Sequence, residues 1–245
     1  MFETILLTVL IFAAAVLYSS VGHGGASAYL AAMALMSVAP EVMKPTALCL
    51  NILVAGIGTV RFYRAGCFSM RTFWPFAITS IPLAFLGGSL GLPAAIFKRL
   101  LGLVLVFAAV RMTVLNFKSA PAPTITRPPL PAALLAGGGI GLLSGLTGTG
   151  GGIFLSPLLL LMRWADVRVT AGVSAAFVLL NSAAGLAGNV LSVRSLLPSI
   201  LYWGPAAVLG GILGSGLGSR RFAQTTLRYL LSGVLVIAAA KLIFA

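Results

Sequence analysis

The chain has 245 residues, 60% hydrophobic and 8% charged, with a mean hydropathy of +1.11. A soluble domain carries about 25% charged residues, so the composition excludes a water-soluble protein and predicts an all-α integral membrane protein; the alternating ten-residue segments of a membrane β-barrel are absent from the sequence. Sixteen Lys and Arg against three Asp and Glu give a net charge of +13, but the basic residues fall at the ends of apolar segments, where they anchor loops to the cytoplasmic face rather than bind nucleic acid.

Segment 1 is predicted over 3–18, a retained helix because no basic leader precedes it. The break Gly22-His23-Gly24-Gly25 follows. Segment 2, over 26–38, has 13 residues against the roughly 20 that a bilayer crossing needs, and Ala39-Pro40-Glu41 ends it. Segment 3 runs over 44–62 and segment 4 over 72–90, with Pro75, Pro82 and Gly87-Gly88 inside; segment 5 covers 96–115. A basic stretch over 118–131 with five prolines reads as a cytoplasmic linker. It divides a first repeat, 1–117, from a second, 132–245. Segment 6 (132–146) ends at a stronger break, Gly148-Thr149-Gly150-Gly151-Gly152, and segment 7 (153–162) is again short. Segments 8, 9 and 10 cover 169–191, 196–217 and 226–244. The expected fold is two inverted-topology repeats with about 8–10 membrane segments, the short segments 2 and 7 being broken or re-entrant helices.

The repeat is legible residue by residue. Gly22-His23-Gly24-Gly25 falls on Gly148-Thr149-Gly150-Gly151 at an offset of 126, and Asn51 falls on Asn181 at 130. Pro82 with Gly87-Gly88 falls on Pro205 with Gly210-Gly211 at 123, and the stretch 97–101 falls on 227–231 at 130. Each half has an odd number of crossings whether its short segment spans or re-enters, so the second half is inverted. Lys44, Lys98, Arg99, Arg194 and Lys241 lie on one side and the other eleven basic residues on the opposite side. The richer side is cytoplasmic, which puts both termini outside.

The sequence offers no catalytic constellation. There is one histidine; Glu3, Glu41 and Asp166 lie near segment ends, and Cys49 and Cys67 form no CxxC pair. No metal, cofactor or enzymatic activity is expected, and there is no nucleotide-binding GxxxxGK[ST]. The breaks are the stronger signal. A helix that starts after a glycine break presents free N–H groups and the positive end of its dipole, which suits an anion. Segments 2 and 7 both start this way. The glycines over 137–141 and 210–218 read instead as close helix packing. His23, opposite Thr149 in the repeat, suits a ligand or proton contact, or a structural bond to a carbonyl across the bundle. Asn51 and Asn181, with Ser174 and Ser182 nearby, suit substrate contact or helix–helix bonding. The candidate substrate-binding set is Gly22, His23, Gly24, Gly25, Asn51, Gly148, Thr149, Gly150, Gly151, Ser174 and Asn181. Ser19, Ser20, Ser144 and Thr147 flank the breaks, and Arg61, Arg64 and Arg168 sit at the cytoplasmic mouth as topological anchors or anion attractors.

A glycine break before a short apolar segment, then a basic turn and a helix with Ser and Asn, all repeated about a polar central loop, resembles the sulfite exporter TauE/SafE family. The residues that carry the resemblance are 145–152 through Pro157, then Thr170 to Asn181, with the first-half echo Ser19 to Gly25 and Pro45 to Asn51. His23 and Ala26 stand where the second half has Thr149 and Gly152, and Ala31 stands opposite Pro157, so the two halves do not make an identical site. The resemblance implies a carrier of sulfite, thiosulfate, sulfoacetate or another small sulfur-containing or organic anion across the cell inner membrane. The expected partners are this anion and the lipid bilayer, with no nucleic acid; a homo-oligomer is left open. The expected mechanism is alternating access, the two halves rocking about a midplane site between the breaks. A small-anion channel and a non-transporting membrane scaffold are the alternatives, and a scaffold has no need of doubled breaks.

Overall fold

The computed structural model describes residues 2–114, 125–189 and 197–218, with 236, 239, 240 and 243. Among these residues every regular element is helical: α1 (Phe2–Ser20), α2 (Ala26–Leu35), α3 (Pro40–Arg64), α4 (Met70–Ser89), α5 (Ala94–Val114), α6 (Leu130–Thr147), α7 (Gly152–Leu161), α8 (Val167–Gly188) and α9 (Leu197–Gly218). The protein is an all-α integral membrane protein. Among the described residues, five helices are long and apolar enough to cross a bilayer: α1, α3, α6, α8 and α9. α2 and α7 have ten residues each, about 15 Å, half of a hydrocarbon core of roughly 30 Å.

The helix starts follow from local chemistry. The Ser69 hydroxyl accepts from Thr72 N–H at 3.3 Å to cap α4, and Asp166 Oδ1 accepts from Val169 N–H at 2.8 Å to cap α8. Pro40 opens α3, and Pro131 sits in the first turn of α6. Proline fits there because the first N–H groups of a helix have no intrahelical partner. This corrects two sequence boundaries. Pro40 starts segment 3 rather than closing segment 2, and the helix after the linker begins at Leu130, before 132. Segment 10 and the linker up to residue 124 lie outside the described residues, apart from the isolated positions named above. Residues 125–129 run without regular structure into α6.

The helices pack in the spatial order α1, α9, α3, α8, α4, α6, with α2 against α1 and α3, and α7 against α8 and α6. Exchanging α1–α4 with α6–α9 leaves this order unchanged, as a repeat requires. It also interlocks the halves: α4 lies between α8 and α6, and α9 lies between α1 and α3. Most buried side chains divide the same way. One hydrophobic cluster draws on α1, α2, α3, α5 and α9, with Tyr29, Leu50 and Trp203 among its members, and takes in Ile153 of α7; another draws on α4, α6, α7 and α8, around Phe76, Leu155 and Phe177; a small third one joins Phe62 of α3 to Ala171 and Ala175 of α8. The packing units therefore differ from the sequence halves by the exchange of α4 and α9.

Glycines at four-residue spacing make the exchange close. A Cβ at Gly137, Gly141 or Gly145 of α6 would strike the backbone of Phe76, Ser80 or Ala84 of α4; one at Gly210 or Gly214 of α9 would strike the backbone of Phe12 or Val16 of α1. Helices in lipid gain little from the hydrophobic effect between them, so such contact and its dispersion energy hold the pairs together.

Candidate functional site

The two breaks share their backbone angles at both ends and differ between them, where Gly150 has φ +76° and its repeat partner Gly24 lies outside the left-handed region. Gly22 and Gly148 both have φ +79°; Gly25 and Gly151, the residues before α2 and α7, have φ +106° and +82°. Only glycine adopts these angles readily, so no Ser or Asp can stand at the N-cap and supply a side-chain oxygen to the first turn. α2 runs over 26–35 and α7 over 152–161, the same 126-residue offset at both ends. Among the described residues no partner is found for the N–H groups of Gly24, Gly25, Gly150, Gly151, Gly152 and Ile153. All six residues are buried.

Asn51 joins the breaks. It is wholly buried. Its Oδ1 accepts from Ala26 N–H at 3.1 Å, supplying to α2 the cap that Gly25 cannot. Its Nδ2 donates to Ser182 Oγ at 3.2 Å and, at a longer 3.5 Å, to the carbonyl of Thr149 in the second break. Acceptor and donors thus fix which way the amide points. Gly24 and Gly150 flank this amide from the two breaks: a Cβ on Gly24 would strike Oδ1, and one on Gly150 would lie 2.5 Å from Nδ2.

His23 makes a second bridge, in the opposite direction. Its Nε2 lies 2.9 Å from the carbonyl of Gly152 and 2.9 Å from Ser156 Oγ. A carbonyl only accepts, so Nε2 carries the proton. Ser156 Oγ is in turn 2.7 Å from Ser174 Oγ on α8. Thr149, the repeat partner of His23, turns its hydroxyl to Thr147 at 3.0 Å. Between the breaks lies a cavity of about 10 Å³, lined by Tyr18, His23, Ser27, Thr149, Gly152 and Val178, room for roughly one water molecule.

Nine of the eleven sequence-selected residues therefore are the two breaks and the Asn51 that bonds to them, and a tenth, Ser174, reaches the first break through Ser156 and His23. Gly22 and Gly148 are the hinges, seated on Ala171 of α8 and Lys44 of α3. Asn181 is the exception: its Oδ1 accepts from Ser80 Oγ at 2.5 Å and its Nδ2 donates to Phe177 O at 2.8 Å, so the amide is committed to α4 and its own helix. Ser156 was not selected; the only sequence signal for it is that it is the single polar side chain in α7. Among the flanking residues, Ser19, Ser20 and Thr147 bond to carbonyls of their own helices. Arg61 reaches across to α9, donating to the Ile212 carbonyl and, at 3.1 Å, to Ser215 Oγ; Arg64 and Arg168 are exposed.

The family model described as "Sulfite exporter TauE/SafE" matches residues 7–242. The chain belongs to the sulfite exporter TauE/SafE family. It is also 42% identical over 244 residues to a curated protein of Sinorhizobium fredii (strain NBRC 101917 / NGR234), named "Probable membrane transporter protein y4hK", covering 99% of each chain. No solved structure matches it. Family and relative together make this TauE/SafE chain a multi-pass membrane transporter.

Proposed function

We propose that the protein is a secondary carrier for a small sulfur-containing anion, such as sulfite, thiosulfate, sulfoacetate or another sulfonate, and that the anion binds between the two glycine breaks. One observation carries this reading: two half-membrane helices start beside each other with free N–H groups, held together by the Asn51 amide. Such starts stabilise negative charge without a buried cation. His23, Asn51, Ser156, Ser174 and Ser182 supply further polar atoms around them.

The small cavity between the breaks supports a carrier over an open pore, since a sulfur oxyanion is larger than a water molecule and enters only if the breaks separate. In this reading the moving bodies are the packing units. α1, α2, α3 and α9 rock against α4, α6, α7 and α8, sliding at the α3–α8 contact and carrying one break each. The protein sits in the cell inner membrane with both termini outside, so a cysteine placed within 118–131 labels only from the cytoplasm.

The test is flux in proteoliposomes with labelled sulfite, thiosulfate and sulfoacetate. A saturable flux that Gly150→Leu removes, in a variant that still inserts, supports the carrier. Flux linear in concentration indicates a channel, and flux unchanged by Gly150→Leu overturns the site.

A further inference from the structure

A second cavity, of about 140 Å³, lies where α3 begins and the α4–α5 connection passes it; Glu41, Lys44, Leu90, Ala94, Leu146 and Asn189 are among the residues lining it. It has room for several water molecules. Lys44 is 8% exposed, and its ammonium donates to the carbonyls of Gly87 and Gly88 at 3.2 and 3.1 Å. These carbonyls belong to the last turn of α4, which ends at Ser89, so the lysine caps that helix. An ammonium has three donors. Among the described residues the third has no acceptor and no carboxylate lies within ion-pair distance of it. A cation held inside a membrane protein by two neutral carbonyls is incompletely compensated.

We infer that this crevice is an outer binding site for the transported anion, with the Lys44 ammonium as its charge; the inference rests on the anion-carrier reading and names the place where the anion is first held. Lys44 adjoins the second break: a Cβ on Gly148 would lie 3.1 Å from the Lys44 carbonyl and 3.2 Å from its Cγ. Along α3 the residue is seven positions before Asn51, about 10 Å. The crevice thus leads from the surface to the hinge of the break beside the inner site. Glu41 lines the same crevice but is exposed, so water and salt screen it, whereas Lys44 acts from a low-dielectric wall. The position opposite Lys44, at the 130-residue offset that relates Asn51 to Asn181, is Ser174, which is neutral and bonded to Ser156. The buried cation therefore belongs to one route only.

The experiment introduces Ala94→Cys into the full chain with Cys49→Ser and Cys67→Ser, and follows its modification by anionic and cationic methanethiosulfonates. Sulfoacetate, which does not react with these reagents, is the probe, with chloride at equal ionic strength as control. The expected result is that sulfoacetate slows modification about tenfold at saturation, and that the anionic reagent outpaces the cationic one. Both effects disappear in Lys44→Gln, whose amide still donates to a carbonyl, and return in Lys44→Arg. A role limited to capping α4 would lower the melting temperature in Lys44→Gln and leave both effects in place. If Lys44→Gln fails to fold, protection and reagent preference in the protein that keeps Lys44 decide the matter, and the absence of both overturns the inference. Sulfoacetate flux separates the two claims. Flux with an unchanged KM in Lys44→Gln overturns the outer site and leaves the carrier intact. Protection without flux supports the crevice and removes sulfoacetate as a cargo.

Discussion

The first break and the second share the backbone angles of their first and last glycines, part at Gly24 and Gly150, and differ in what their side chains do. At α2, the first N–H is taken by Asn51 and the break's one large side chain, His23, reaches away to the far helix. At α7, Gly152 and Ile153 keep open N–H groups, and Thr149 folds back on Thr147. Glycine sets the ends of both breaks, so those ends repeat. The polar side chains come from positions that have diverged, so the chemistry does not. A site built from these parts is two-fold in its scaffold and one-sided in its contacts, with α7 the more open pole.

The largest effect should come from locking the two packing units together. A Cβ on Gly58 would lie 3.7 Å from the Cβ of Ala175, across the α3–α8 contact, within the range that a disulfide spans. In Gly58→Cys/Ala175→Cys, oxidation should stop flux and reduction restore it; full flux in the oxidised form would show that the units do not rock there. Next comes the filling of the shared seam. Gly24→Ala places a methyl against the Asn51 amide and should lower flux about 100-fold, a loss of ~3 kcal/mol. Gly139→Ala, with nothing within 4 Å, should leave flux as it was. Similar losses in both would mean that glycine matters here only for helix packing.

A smaller effect separates the paired asparagines. Asn51→Ala removes the cap of α2 and both links to the second half, and should cost about tenfold in flux together with ~1–2 kcal/mol of stability. Asn181→Ala loses bonds to Ser80 and Phe177 and should show the stability cost without the flux cost. Equal flux losses would point to a symmetric site. The smallest change is expected for Ser156→Ala, which removes one neighbour of His23 Nε2. It should shift the ranking of sulfite against sulfoacetate by a few-fold in competition assays while maximal flux holds. An unchanged ranking would leave the His23–Ser156–Ser174 chain a purely structural one.

The breaks and most helix limits were legible in the sequence for a local reason. Positive φ demands glycine and an unpaired first turn tolerates proline, so Gly25, Gly151 and Pro40 mark their positions directly. The exchange of α4 and α9 was not legible. Gly137, Gly141 and Gly145 announce a close neighbour at helical spacing without naming it, and only the folded bundle shows that the neighbour comes from the other half of the chain. Side-chain direction was the other limit. Asn51 and Asn181 match in the repeat, yet one amide faces the breaks and the other faces Ser80, because the serine that each one finds lies on a different helix. Ser156 escaped notice because a lone serine in an apolar helix has no pattern, and its role depends on a histidine 133 positions away.

Amide NMR can report an anion at the break N–H groups residue by residue. The purified protein, labelled with ¹⁵N at glycine, would be titrated with sulfite. Saturable shifts are expected for the amide signals of Gly24, Gly150, Gly151 and Gly152, with Gly139 unmoved and with the shifts lost in Asn51→Ala. Sulfite that is carried by the protein yet leaves the break glycines unshifted would contradict a site between the breaks.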